Sequence, residues 1–105
     1  MVNGVNAMGS SLKSATFLMN SRMADAARGD SDAYYDLGML YSSGSTGVDI
    51  DLVEAHKWFN LAAVAGNEAA QMCRADIAED MSAREIATAQ AAARAWLRQT
   101  ERRAA

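Results

Sequence analysis

The sequence has no proline, a single cysteine, a single histidine and no long apolar run. Because proline breaks helices, its absence from a chain that is half hydrophobic favours a helical fold. One cysteine excludes an internal disulfide and a cysteine-rich metal site. No stretch approaches the roughly 20 apolar residues that a membrane-spanning helix needs. The net charge of −3 gives no general attraction to nucleic acid.

The 105 residues suffice for one small domain with a modest core. Residues 1–10 contain glycine and asparagine, and we expect them to be disordered. Residues 11–103 are predicted to form a single helical domain of about five helices. No charged segment followed by a long apolar core opens the sequence, so we read no secretory signal and expect a cytoplasmic protein.

Residues 32–70 contain two amphipathic patterns on either side of a glycine- and serine-rich turn. The apolar residues of the first pattern share one helix face: Ala33, Leu37, Leu40 and Tyr41. Gly38 interrupts that face, although a glycine inside a helix costs about 1 kcal/mol relative to alanine. We therefore expect another backbone to approach the first helix closely at Gly38.

The second pattern begins at Asp51, a good N-cap, with Glu54 as its expected capping-box partner. Its apolar stripe consists mostly of small and aromatic residues: Leu52, Ala55, Phe59, Ala62 and Ala63, widened by Trp58. Gly66 is expected to end the helix. The two patterns together predict an antiparallel helical hairpin.

A shorter pattern recurs along the chain. Residues 26–29 with Ala33 are echoed by residues 63–66 with Ala70, at an interval of 37 residues. The best repeat therefore spans residues 30–66, with degenerate repeats at 11–29 and 67–103. In the last of these, Asn67 is expected to cap one helix, and Ser82 with Glu85 to form a capping box for the next.

The hairpin resembles the Sel-one-like repeat, a relative of the tetratricopeptide repeat. The residues that carry the resemblance are Ala33, Leu37-Gly38, Leu40-Tyr41, Gly44, Gly47-Val48, Asp51, Ala55, Trp58, Ala62-Ala63 and Gly66. Two residues separate Gly44 from Gly47 where the family usually has one, and Arg74-Ala75 stands where it would have Leu-Gly. The resemblance implies a short right-handed α-solenoid of stacked antiparallel hairpins.

In such an arc the first helix of each hairpin lines the concave face, which in this family usually receives a peptide or a partner helix. The corresponding surface positions are Asp32, Tyr35, Met39, Ser42, Met72, Asp76 and Glu79. Tyrosine provides rigid contact area and methionine adapts to irregular partners, while the carboxylates favour a basic ligand. The alternative is that Tyr35 or Met39 packs against the N-terminal or the last helix as part of the core.

Three further features of the sequence are the C-terminal arginines, the single histidine and the single cysteine. Arg94, Arg98 and Arg102, with Arg103 beside them, form either a nucleic-acid or anionic-surface stripe or an ordinary solvated helix face. His56 lacks a second histidine or cysteine to complete a ligand set, and is interpreted as a partly exposed helix residue.

Cys73 lies on an apolar helix face and is interpreted as an inert core thiol. No residue pattern indicates a catalytic site, a metal or a cofactor.

The sequence therefore favours a non-enzymatic adaptor or scaffold that binds a peptide or helix of another protein. Two alternatives stay open. One is a self-assembling structural protein, a homodimer that covers exposed Phe17, Leu18 or Trp96. The other is weak binding of nucleic acid or an anionic surface by the C-terminal arginines.

Overall fold

The computed structural model describes residues 16–44 and 47–104, and within these ranges the chain is entirely helical with no strand. The helices are α1 (residues 16–27), α2 (Ser31–Ser43), α3 (Leu52–Val64), α4 (Glu68–Ala78) and α5 (Ala83–Ala104). The prediction of an all-helical fold is confirmed. Residues 1–10, expected to be disordered, lie outside the described residues, as does the start of the first predicted helix.

Helix α3 is the centre of the domain, because α2, α4 and α5 all pack against it. It supplies half of the buried side chains among the described residues, and the largest fully buried ones there are Trp58, Phe59 and Leu37. Helix α1 adds the fully buried Ala26, and its Met19 and Met23 pack against the same core. Burying a large apolar side chain stabilises the fold by about 1.5–3 kcal/mol, so α3 carries much of the stability.

Gly38 lies in close contact with α3, as the sequence predicted, but the approaching group is a ring rather than a backbone. A Cβ atom at Gly38 would lie 2.5 Å from Cδ1 of Phe59. The absence of a side chain therefore allows the Phe59 ring to lie directly against α2 at Gly38. Leu37 beside it is fully buried.

The turn between α1 and α2 has the same geometry as the turn between α3 and α4. Gly29 and Gly66 both adopt positive φ angles, 85° and 104°, which glycine accommodates without strain. The Gly29 N–H donates to the Ala26 carbonyl at 2.9 Å, and the Gly66 N–H donates to the Ala63 carbonyl at 3.0 Å. The same backbone turn thus recurs at the 37-residue interval found in the sequence.

The residues after these turns are equivalent as well. Asp30 and Asn67 are the N-caps of α2 and α4, accepting backbone hydrogen bonds from Asp32 and Ala70 respectively. Ala33 and Ala70, both fully buried, occupy matching positions in the first turns of the two helices. Asn67 was predicted as a cap, and that prediction is confirmed.

The connection between α2 and α3 ends at the predicted N-cap, Asp51, but without the predicted capping box. Asp51 accepts the N–H of Glu54 at 3.1 Å, so it is the N-cap. Its own N–H donates to the Tyr41 carbonyl at 3.0 Å, which leaves no donor for a reciprocal bond from Glu54. The capping box predicted here is therefore wrong, and Glu54 instead pairs with Lys57 at 3.5 Å.

The capping box predicted for α5 is confirmed. The Ser82 N–H donates to the Glu85 carboxylate at 2.8 Å, and the Glu85 N–H donates to the Ser82 hydroxyl at 3.1 Å. Because these bonds involve residues three apart, they are fully specified by local sequence.

Aromatic rings hold α5 against α3. Trp96 meets Trp58 edge-on with ring centroids 4.8 Å apart, and Tyr34 stacks on Trp58 at 5.9 Å. The ammonium of Lys57 lies 4.3 Å from the Trp58 ring and 5.3 Å from the Trp96 ring. Trp96 is thus part of this cluster and partly buried. Of the three residues named for self-association, Phe17 and Leu18 are the exposed ones, at 76% and 41%.

Candidate partner-binding surface

The seven predicted surface residues lie on α2 and α4, which we name together the α2/α4 face. Tyr35 and Ser42 are half-buried on it, and the others are exposed: Asp32, Met39, Met72, Asp76 and Glu79. Met72 is the most open of the apolar ones, with 71% of its surface exposed, compared with 41% for Met39. The face therefore combines flexible apolar side chains with carboxylates.

Tyr35 is where the α2/α4 face meets the core. Its ring packs on Phe59 of α3 at 5.9 Å between centroids, with a tilt of 56°. Its hydroxyl faces Cys73 of α4. Cys73 raises the pKa of Tyr35 in two ways: the larger effect is the negative charge of the ionised thiol, and the smaller is the hydrogen bond between the two side chains. Partial burial and Asp36 raise this pKa further. Tyr35 thus links α2 to α4, and part of its ring still borders the surface.

Cys73 itself is half-buried and packs against the hydrophobic core. The sequence placed it on the apolar side of its helix, and the structure confirms that position. Its thiol nevertheless meets a tyrosine hydroxyl on one side, so its surroundings are not purely apolar.

The electrostatic character of the face is negative. Asp32, Asp76 and Glu79 are exposed and form no ion pair with any other residue that the structure describes. Asp36, next to the face, instead pairs with Arg22 of α1 at 3.3 Å. Unpaired carboxylates on one surface create a local field that favours cationic ligands.

A groove between α1 and α2 borders the face and was not predicted from the sequence. It has a volume of about 280 Å³ and is lined by Leu18, Arg22, Asp36, Met39, Leu40 and Ser43. Met39 therefore faces α1 as well as solvent. The sequence does indicate that Leu18 and Arg22 share one side of a helix, because they are four residues apart. It does not indicate the groove, which exists only because α1 packs on α2.

A second depression, of about 380 Å³, lies at the α2–α3 connection. Its lining residues are Thr16, Met19, Tyr41, Gly47, Val48, Asp49, Ile50 and Asp51. Burial, with smaller effects from Glu54 and Asp51, raises the pKa of Tyr41. The Asp51 carboxylate in this lining caps α3 by accepting the Glu54 N–H.

His56 differs from its sequence prediction. It is buried, with 4% of its surface exposed, rather than partly exposed, because its side of α3 is covered by a neighbouring helix. Burial, followed by the charge of Arg74 on α4, lowers its pKa. Arg74 donates to the Asn60 side-chain oxygen at 2.5 Å, so the α3–α4 contact contains polar groups.

No metal site accompanies His56 in the part of the chain that the structure describes. There, no group of three or more histidine, cysteine or acidic side chains converges on a common point. The neighbour of His56 is a cation, and a cation repels a metal ion.

Arg94, Arg98 and Arg102 of α5 are exposed, and we name them the arginine stripe. Within the described ranges none of the three pairs with a carboxylate. They lie on the side of α5 opposite the buried Ala89 and Ala93.

Comparisons with protein-family models, with curated proteins and with solved structures gave no match for this chain. Of the helices in residues 16–44 and 47–104, none combines the length and the apolar character that crossing a bilayer requires. The geometry and charge of the surfaces described above are therefore the basis for a functional proposal.

Proposed function

We propose that this chain is a non-enzymatic protein-interaction module of Sel-one-like hairpins, which binds a peptide or helix of a partner on the α2/α4 face. The observation that carries the proposal is the α2/α4 face itself. Two helices that begin at equivalent turns lie on either side of the Tyr35–Cys73 contact and expose methionines and carboxylates.

The matching turns support a right-handed α-solenoid. Gly29 and Gly66 share their backbone geometry, and each is followed by a capped helix with a buried alanine in its first turn. Repeating one turn at one interval gives neighbouring units a similar rotation, which is how stacked hairpins form an arc. In this arrangement α2 and α4 are the first helices of successive hairpins.

The polar groups near the face support binding rather than catalysis. His56 is buried beside a cation, and the Asp51 carboxylate is committed to a helix cap. A general base must instead reach its substrate with a free lone pair. The exposed carboxylates of the face form no ion pair with any residue of the described ranges, which leaves them available to recognise a cationic partner.

The chemistry of the face defines the partner class. Met39 and Met72 offer adaptable apolar area, and the exposed Asp32, Asp76 and Glu79 add negative charge to the same face. A helix with leucines on one side and lysines or arginines at its edges complements both features. We therefore propose a basic amphipathic helix as the ligand.

The test uses a fluorescein-labelled amphipathic peptide of leucine and lysine, titrated with the full chain and followed by anisotropy. Tyr35→Ala and Met72→Ala should each raise the Kd by about tenfold, which corresponds to a loss of about 1.4 kcal/mol. Gln71→Ala is the matched control, because its position is rotated by about 100° from Met72 on the same helix. Circular dichroism melting checks that each variant folds.

Equal affinities of Met72→Ala and Gln71→Ala would contradict the proposal. If Tyr35→Ala unfolds the chain, its packing on Phe59 is essential for folding, and Tyr35→Phe replaces it in the titration. Tyr35→Phe keeps the ring and removes only the hydroxyl, so its melting curve should stay close to that of the parent chain.

A further inference from the structure

Charge is distributed unevenly along the chain. Residues 16–82 contain eleven acidic and four basic residues, whereas α5 contains two acidic and five basic ones. The acidic part includes the α2/α4 face, and the basic part includes the arginine stripe. Such separation within one small domain creates two surfaces of opposite sign.

From this separation we infer that the partner helix is α5 of a second copy of this chain, whose arginine stripe docks on the α2/α4 face. The inference rests on the proposed function, since it names the ligand of the same face. It differs in requiring the chain to associate with itself.

The arginine stripe suits a helix partner. Arg94, Arg98 and Arg102 recur every four residues, so their side chains project from one side of α5 about 6 Å apart along the axis. Ala87 and Ala91 are exposed on the same side and leave room for another helix to come close. An exposed side of alanine and arginine presents both apolar contact area and cations.

The α2/α4 face provides the matching groups. Asp76 lies in the last turn of α4 and Glu79 is its C-cap, three residues later and about 4.5 Å further along the axis. Asp32 adds a carboxylate on α2. Met72 lies between the carboxylates and the turn that begins α4, with most of its surface exposed. Arginines spaced by one turn can pair with these carboxylates while the exposed alanines pack on Met72.

The stripe cannot dock within its own molecule. The opposite side of α5 is buried against the core through Ala89, Ala93 and the Trp96–Trp58 contact. The arginines consequently point away from the helices that the structure describes, so the carboxylates on those helices can reach the stripe only from a second molecule.

A nucleic acid fits the surroundings of the stripe less well than a second copy does. The exposed residues Ala87 and Ala91, rather than aromatic ones, accompany the arginines, so bases find no stacking platform. The acidic excess in residues 16–82 would also repel a long polyanion. A second copy instead presents a limited acidic patch.

The experiment is sedimentation velocity on the full chain over a concentration series, with two charge-reversal variants. Arg94→Glu/Arg98→Glu reverses the stripe, and Asp76→Arg/Glu79→Arg reverses the face. The sedimentation coefficient of the parent chain should rise with its concentration. The rise should be smaller in high salt, because screening shortens the range of the interactions between charges. Each variant alone should remain monomeric, and an equimolar mixture should regain association, since the reversed surfaces complement each other.

Gln99→Glu and Asp49→Arg are control variants that change the charge in the same two directions, by smaller amounts, at exposed positions outside the stripe and the face. Both should associate like the parent chain. A parent chain that stays monomeric at the highest concentration would overturn the inference, and so would variants that each still associate alone. A mixture of the two variants that stays monomeric would overturn it as well.

Two parallel titrations separate this inference from the proposed function. If the chain is monomeric but still binds the leucine–lysine peptide through Met72, the proposed function stands and the inference of a second copy as partner is overturned. Binding of a fluorescent oligonucleotide that disappears in Arg94→Glu/Arg98→Glu, with no self-association of the parent, would assign the stripe to nucleic acid and overturn the inference.

Discussion

The two sides of α3 hold their neighbouring helices by different means. Toward α2 the contact is apolar, with the Phe59 ring lying on Gly38 beside the fully buried Leu37. Toward α4 it includes the buried His56 and the hydrogen bond from Arg74 to Asn60. The difference shows that one helix can combine a contact that depends on shape with another that depends on polar partners.

The same difference separates α2 from α4 at equivalent positions. The 37-residue interval aligns Leu37 with Arg74 and Gly38 with Ala75. Leu37 and Gly38 are buried, whereas Arg74 is half-buried and Ala75 is exposed. The repeat is therefore kept in its turns and caps, while the helix packing that follows has diverged.

Of the substitutions that test this comparison, Gly38→Leu should lower the stability of the fold most. Even a single added carbon would overlap the Phe59 ring, so a leucine must displace either the ring or α2, and we expect loss of cooperative folding. The matched control is Ala75→Leu, at the equivalent and exposed position on α4, which should leave the urea midpoint nearly unchanged. A folded Gly38→Leu variant with the parent midpoint would show that the α2–α3 contact adapts easily.

Leu37→Ala should have the next largest effect. Truncating a fully buried leucine leaves a cavity, and we expect the free energy of unfolding to fall by about 2–5 kcal/mol. The measurement is urea unfolding followed by circular dichroism, with Met72→Ala as a control at an exposed position. A loss below about 1 kcal/mol would mean that Trp58 and Phe59 carry the core without Leu37.

The features that were predicted correctly depend on residues close in sequence. The Ser82–Glu85 capping box, the Asn67 cap and the 37-residue interval each need only a few neighbouring residues to be defined. The apolar stripes likewise follow from helical spacing alone. The choice of helices as the only element type could therefore be made from the sequence.

The features that were missed depend on which helix covers which surface. His56 was taken as partly exposed because its burial requires α4 to lie over that side of α3. The Glu54 capping box failed because the Asp51 N–H is taken by Tyr41, ten residues earlier in the chain. The alternative that named Trp96 as a possible self-association residue could not foresee its contact with Trp58, because the two residues are far apart in the sequence.

The candidate surface was predicted in its residues but not in its internal contacts. Helical spacing placed the seven residues on the outer sides of α2 and α4, where the structure finds five of them exposed. It did not show that Tyr35 would contact Phe59 and Cys73, because such contacts join three different helices. The role of these residues in binding stays a prediction.

Of these tests, a change of pH should alter the stability least. It distinguishes the two sides of α3, because His56 lies on the side that faces α4. Burial and Arg74 lower the pKa of His56 below its ordinary value of about 6.5, so the unfolded chain takes up a proton more readily than the folded one. The resulting stability is fully present above about pH 6.5 and falls as the pH drops below it, with a slope of at most about 1.4 kcal/mol per pH unit. Because His56 is the only histidine, urea midpoints between pH 7.5 and 5.5 report on the α3–α4 side alone.

The control is His56→Gln, which cannot be protonated in this range and should make the midpoint independent of pH over the same interval. Arg74→Gln should reduce the slope without abolishing it, because it removes the smaller of the two causes and leaves burial in place. A parent chain with equal midpoints at pH 7.5 and 5.5 would show that water reaches His56, and that the α3–α4 contact opens more readily than the apolar contact on the other side of α3.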